Sequence, residues 1–210
     1  MNFNPFEQLV NYILNVDKNI KIHDLRAKLQ LRIVNKSDLK VLCLYNYSEN
    51  IRRLILDYKY KFRHKKLLVE AVSDALSDFI HDEEFVENKK IYISYIPRHP
   101  LKSILYGGDH MKILSKQVYK NLAKMGFQIK FIKIIKRVKF TKSQFILNTQ
   151  ERKNNMKNAF KTAQKPSKDS VVFIIDDILK SSNTFKSADL TLRRTKKDLG
   201  LKIYFISISC

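Results

Sequence analysis

From Ile51 onward the apolar positions along the chain fall into recognisable periods. Ile51, Leu54, Ile55 and Tyr58 recur at helical spacing, and Leu68, Val72, Ala75 and Phe79 repeat the pattern, which predicts two successive amphipathic helices. The acidic HDEE at 81–84 closes the second. KIYISYIP (90–97) reads as a strand ended by Pro97, and the polar RHPLKSILYGGDH (98–110) as a loop. Met111, Leu114, Val118 and Met125 line one face of a third helix, with Gly126 where a helix C-terminus favours glycine. FQIKFIKII (127–135) is a second strand. Residues 136–170 hold KRVKFTKSQ, a helical ERKNNMKNAF and the polar linker TAQKPSKDS. VVFII (171–175) is a third strand, and a helix from about Thr184 to Leu199 turns Phe185, Ala188, Leu192 and Leu199 inward. Gly200 stops that helix before a last strand, LKIYFISIS. Strands alternating with helices predict an α/β fold with a largely parallel central sheet flanked by helices. Residues 1–46 show only short amphipathic pieces, FEQLVNYIL and KLQLRIV, and read as an irregular N-terminal appendage to a domain of residues 47–210.

Composition adds one strong feature. Hydrophobic residues make up 44% of the 210, enough for one core, but 41 Lys and Arg stand against 20 Asp and Glu, a formal charge of +21. A surplus of that size suits a phosphate-rich partner, either nucleic acid or a small polyphosphate. The joint abundance of Lys, Asn and Ile is also what AT-rich coding produces, so both origins stay open. The two cysteines, Cys43 and Cys210, form no CxxC, so neither a zinc ribbon nor a redox pair is expected. So few thiols suit a reducing cytosol. The start MNFNPFEQLVNYIL lacks the features of a signal peptide, and no apolar run has membrane-spanning length, so a cytoplasmic protein without a membrane span is expected.

The candidate chemistry sits in VVFIIDDILKSSNT (171–184), where a buried-looking run meets two acids and then hydroxyls. In parallel sheets ligands bind beyond the carboxyl ends of the strands. Side chains alternate along a strand, so Asp176 and Asp177 meet one ligand only if the strand has already ended there. Neighbouring carboxylates repel, which favours a divalent cation or sugar hydroxyls between them. A following helix N-terminus with Ser and Thr hydroxyls is a phosphate site. The same residues also fit a plain turn in which Thr184 merely caps a helix.

IIDDILKSSNT resembles the ribose-phosphate signature of type I phosphoribosyltransferases, a hydrophobic run followed by DDxxTTGxT. From about Tyr47 to Ser209 the chain is similar to the ComF family of phosphoribosyltransferase-like proteins, linked to DNA uptake in natural transformation. YSENIRRLILDYKY is similar to the family's opening helix, with Lys59 at its habitual lysine, and IPRHP to a loop written VPLHP. In TKSQFILNTQERKNNMKNAF, Thr141, Gln144, Leu147, Glu151, Arg152, Asn155, Ala159 and Phe160 keep every interval of the family pattern. The departures are equally definite. The family's four-cysteine zinc ribbon is not present in the sequence, so no zinc is expected. RGFNQ becomes YGGDH (106–110), and the phosphate loop TTGAT becomes Lys180, Ser181, Ser182, Asn183 and Thr184. Ser182 tolerates positive φ poorly where the family has glycine, whereas Asn183 tolerates it better and Lys180 adds a cation.

The resemblance implies a type I phosphoribosyltransferase fold, with phosphoribosyl pyrophosphate and Mg²⁺ as ligands. Asp176 and Asp177 would then hold ribose hydroxyls or, indirectly, the metal, residues 180–184 the 5-phosphate, and Arg98, His99 and Lys102 the pyrophosphate. It also implies competence-linked handling of single-stranded DNA beside other DNA-uptake proteins. KFIKIIKRVKFTK (130–142) offers Lys136, Arg137, Lys139 and Lys142 to a strand's phosphates, with Phe131 more suited to the core. Three readings follow: a DNA-uptake protein, an active phosphoribosyltransferase in nucleotide salvage, and a non-catalytic interaction protein.

Overall fold

The computed structural model describes residues 32–36, 39–82, 89–141, 149–179 and 182–210. The strands are β1 (Arg32–Lys36), β2 (Leu39–Tyr45), β3 (Ile91–Tyr95), β4 (Ile129–Phe131), β5 (Ile135–Arg137), β6 (Phe160–Thr162), β7 (Val171–Ile178) and β8 (Lys202–Ser209). The helices are α1 (Glu49–Lys61), α2 (Lys65–Asp82), α3 (Pro100–Leu105), α4 (His110–Lys124), α5 (Thr149–Met156) and α6 (Asn183–Asp198). One sheet runs β1-β2-β8-β7-β3-β4, and β5 pairs with β6 in a separate ribbon. In the large sheet β1–β2 is antiparallel, and β2–β8, β8–β7, β7–β3 and β3–β4 are parallel. The protein is therefore α/β, with a mostly parallel central sheet flanked by helices. Among the described residues no helix is long and apolar enough to cross a membrane.

The central strand β7 shows how the layers form. Val171, Phe173 and Ile175 enter one apolar cluster with α1, α2 and α4, while Val172 and Ile174 enter another with α6 and the β5–β6 ribbon. A strand covered on both faces has no polar side, which is why VVFII is a continuous apolar run. The helices begin where polar caps stand: Ser48 accepts from Ile51 N at the start of α1, and Asp109 from Lys112 N at the start of α4. Gly200, at φ +61°, turns the chain after α6, and a Cβ there would lie 2.5 Å from Asp169 Oδ1, so any other residue would strain the backbone and push the Asp169 carboxylate aside.

Several elements depart from the sequence expectations. Residues 32–45, read there as part of an appendage, supply two strands of the main sheet, with β2 lying directly against β8. The loop at 98–110 contains α3. The single strand expected at 127–135 is broken between β4 and β5, which belong to different sheets. The break follows the apolar phase: Phe127, Ile129 and Phe131 alternate, then Ile132, Ile134 and Ile135 shift register, and the chain crosses to the second cluster. Met125, expected inward, is 49% exposed beside the end of α4.

Cys43 and Cys210, from which no redox pair was expected for want of a CxxC, are joined in a disulfide with their Cα atoms 5.9 Å apart. A sequence separation of 167 hides this pairing until β2 and β8 lie side by side. Closing a loop that long stabilises by about 5 kcal/mol on the chain-entropy account. Reduction is expected to lower the melting temperature by roughly 10–20 °C. Thiol titration of the denatured, unreduced protein should find no free thiol, and unchanged melting after reduction would remove the cross-link from the stability account.

Candidate functional site

β7 is longer than its neighbour β3. Their register ends at Tyr95–Ile175, where Ile96 N still donates to Ile175 O at 2.9 Å, but β7 runs on against β8 through Asp176–Ser207 to Ile178–Ser209. The doublet therefore lies in an overhang, paired on one side only. The strand has not ended at Ile175, so alternation sends the two acids toward opposite layers.

A cleft of about 210 Å³ wraps around this overhang at the carboxyl edge of the sheet. Its walls include Lys59 and Tyr60 of α1, Arg98 after β3, Lys102 of α3, His110 of α4, Arg137 of β5, Met156 of α5 and Thr184 of α6. Asp176 and Asp177 both reach it, as do Tyr106 and Thr141.

Asp177 is on the side of α1 and α4. Its Oδ2 accepts from Lys59 Nζ at 2.6 Å and lies 3.3 Å from His110 Nε2, and its Oδ1 accepts from Ile178 N at 2.7 Å. Burial pushes Asp177 upward, but Lys59 and His110 outweigh it and hold the carboxyl well below the usual range. Burial likewise pulls the Lys59 ammonium down, and the charge of Asp177 more than offsets this, leaving Lys59 raised. For His110 burial wins, so its imidazole is depressed despite the bond to Asp177. The His110 backbone is anchored separately, since Tyr58 Oη donates to its carbonyl at 2.7 Å.

Asp176 has a different setting. Burial and the charge of Asp177 push its pKa up to about 8, against weaker help from the Asp177 backbone N–H, Lys59 and Arg137. Among the described residues no ion pair within 4.0 Å reaches it, unlike Asp177.

The cations are tied to the walls. Arg98 braces the loop that follows β3: Nη1 donates to Gly108 O at 2.8 Å, Nη2 to Lys59 O at 3.3 Å, and the guanidinium lies 5.2 Å from the Tyr106 ring centroid. Lys102 Nζ donates to Thr141 O at 2.6 Å, and Arg137 Nη1 to Thr141 Oγ1 at 2.9 Å, so Thr141 gathers both. Arg137 also stacks over Phe160 at 4.9 Å, and its buried Nε has no hydrogen-bond partner among the described residues. Burial depresses Lys102, and the neighbouring charges of Arg137, Lys59 and Arg98 lower it further. A site in which cations repel one another is suited to an anion.

The sequence-predicted residues divide accordingly. Asp176, Asp177, Arg98, Lys102, Thr184 and Arg137 meet at the cleft, although Arg137 was expected on an outer nucleic-acid strip. Alternation on β5 explains this, because Lys136 faces solvent and Arg137 the interior. Lys139 is exposed, with Nζ bonded to Asn154 O and Lys157 O. His99 caps α3, accepting from Leu101 N at 3.3 Å, and does not line the cleft. Ser182 is buried at φ −67°, so no positive φ is demanded of it, and Asn183 is the first helical residue of α6 rather than a left-handed turn. Lys180, Ser181 and Lys142 lie outside the described residues. Sequence reading missed His110 and Tyr60, since nothing in local spacing marks them. Thr141 and Lys59 were visible as matched positions without an assigned role.

Among the described residues no three His, Cys, Asp or Glu side chains gather to hold a metal. Two adjacent carboxylates suit Mg²⁺ when a ligand's phosphate oxygens complete its shell. Fold and site define an α/β protein with a cation-rich cleft at the carboxyl edge of its sheet. No family model matches the chain, and no curated protein matches it.

Proposed function

We propose that the cleft binds a phosphorylated sugar of the phosphoribosyl pyrophosphate class on a type I phosphoribosyltransferase-like fold. The supporting observation is the convergence of Lys59, Arg98, Lys102 and Arg137 with an acidic doublet in one cleft beyond the parallel strands. Lys102 and Arg137 would face phosphate oxygens, and the doublet the ribose side. Mg²⁺, when bound with such a ligand, neutralises pyrophosphate charge. Whether transfer to an acceptor follows is a separate step, for which no residue is assigned. Titration calorimetry with phosphoribosyl pyrophosphate and Mg²⁺ should show saturable heat, and Arg137→Gln should weaken binding about 10- to 100-fold. Absence of heat with the wild-type protein would overturn the reading.

A second reading, a ComF-like role with single-stranded DNA in transformation, rests on the sequence resemblance, the charge of +21 and one surface feature. The Phe140 ring is 52% exposed, and Lys102 Nζ lies 5.1 Å from its centroid, a pairing suited to base stacking beside phosphate. Anisotropy with a labelled oligonucleotide should then show binding that falls with salt at roughly −0.7 per phosphate neutralised. Phe140→Ala should weaken binding, and no binding at low salt would end this reading.

A further inference from the structure

The acidic doublet is not symmetric, and the asymmetry begins in the strand. From Val171 to Ile175 the odd-numbered β7 residues face α1, α2 and α4, and Val172 and Ile174 face α6 and the β5–β6 ribbon. Asp177 continues on the α1 and α4 side, and the alternation ends there, since Ile178 packs against that same cluster and Leu179 against the other. Asp177 meets α1 through Lys59 and α4 through His110, and three of a carboxylate's roughly four acceptor sites are taken by Lys59, His110 and the Ile178 amide. Among the described residues Asp176 has the adjacent Asp177 backbone N–H as its local donor, with Lys59 and Arg137 acting at longer range.

We propose that the doublet is divided in labour: Asp176 is the carboxyl group that contacts the ligand, and Asp177 is a positioning residue that fixes the end of β7 to α1 and α4. This rests on the reading of the cleft as a sugar phosphate site. It departs from a twin clamp in which both acids grip the same hydroxyls. Asp176 then presents acceptor sites to the hydroxyls of a pentose, a polyol edge rather than a bare anion. Lys59 and His110 belong with Asp177, because they act on the ligand only through it.

The test compares Asp176→Asn and Asp177→Asn by thermal unfolding and by calorimetry with phosphoribosyl pyrophosphate and Mg²⁺. Asp176→Asn should melt no lower than wild type and bind about 10- to 100-fold more weakly. Asp177→Asn should melt lower by about 6–12 °C, since it leaves Lys59 buried without its partner. Asp177→Glu should recover part of that loss, which a ligand-contacting role alone would not require. Equal melting losses in the two Asn variants, or Asp176→Asn binding like wild type, would overturn the division. Should wild type give no heat with this probe, the sugar phosphate reading fails and takes the ligand role of Asp176 with it, while the melting comparison still decides the positioning role of Asp177: a larger loss for Asp177→Asn than for Asp176→Asn supports it, and an equal or smaller one ends it.

Discussion

Lys59→Met is expected to lower stability by about 2–4 kcal/mol, a loss of roughly 4–16 °C in melting temperature. The substitution keeps most of the aliphatic stem, so the packing of α1 changes little. What it removes is the ammonium 2.6 Å from Asp177 Oδ2. Asp177 would then stay ionised in a mostly buried site with a depressed His110 as its remaining side-chain donor, and that uncompensated charge is the cost. The full buried-pair figure is discounted because the Lys59 side chain is 26% exposed and that of Asp177 14%. Adding Asp177→Asn removes the stranded charge, so the double variant should be no less stable than Lys59→Met alone. Strict additivity in that cycle would mean that the pair is not coupled.

The fold was legible where pattern and period agreed. The α1 and α2 stripes, the β3 and β7 runs and the Gly200 stop follow from local rules. What escaped was set by distant partners. β2 is apolar, but only its place beside β8 makes it a core strand, and the 167-residue separation of Cys43 from Cys210 carries no local signal. The β4–β5 break was visible as a phase shift at Phe131–Ile132, yet the uninterrupted apolar composition masked it. For the site, the doublet and Arg98 were legible because they lie at the ends of readable strands. Its asymmetry was not, because it depends on three residues of overhang beyond Ile175 and on His110, which a second helix delivers. Arg137 moved from the outer strip to the cleft for the same reason that the doublet divides, the two-residue repeat of a strand.

Stability should fall as pH rises from mildly acid toward about pH 8, and Asp176→Asn should abolish most of that fall. The folded protein holds Asp176 at about 8, above the ordinary value of 3.8. Between those values the native state keeps a proton that the unfolded chain has lost. The stabilising contribution is therefore fully present below the unfolded pKa and lost as pH rises through the folded one, by at most about 1.4 kcal/mol per pH unit. Asp177 has the opposite sign: held low, it contributes above its unfolded pKa, and that contribution is lost as pH falls. His110, depressed by burial, also weakens the fold in acid. Urea midpoints measured across this range for wild type and Asp176→Asn separate the groups, because the difference curve keeps Asp176 and the groups it acts on, Asp177, Lys59 and Arg137, and removes His110. Asparagine cannot ionise, so its advantage should grow steadily with pH, and a flat difference curve would place the Asp176 titration outside this window. The same proton informs binding. A ligand whose hydroxyls bond to the carboxyl can leave it protonated, whereas a cation seated on Asp176 must expel the proton. Calorimetry in buffers of different ionisation enthalpy therefore distinguishes hydroxyl recognition from direct metal contact at this one side chain.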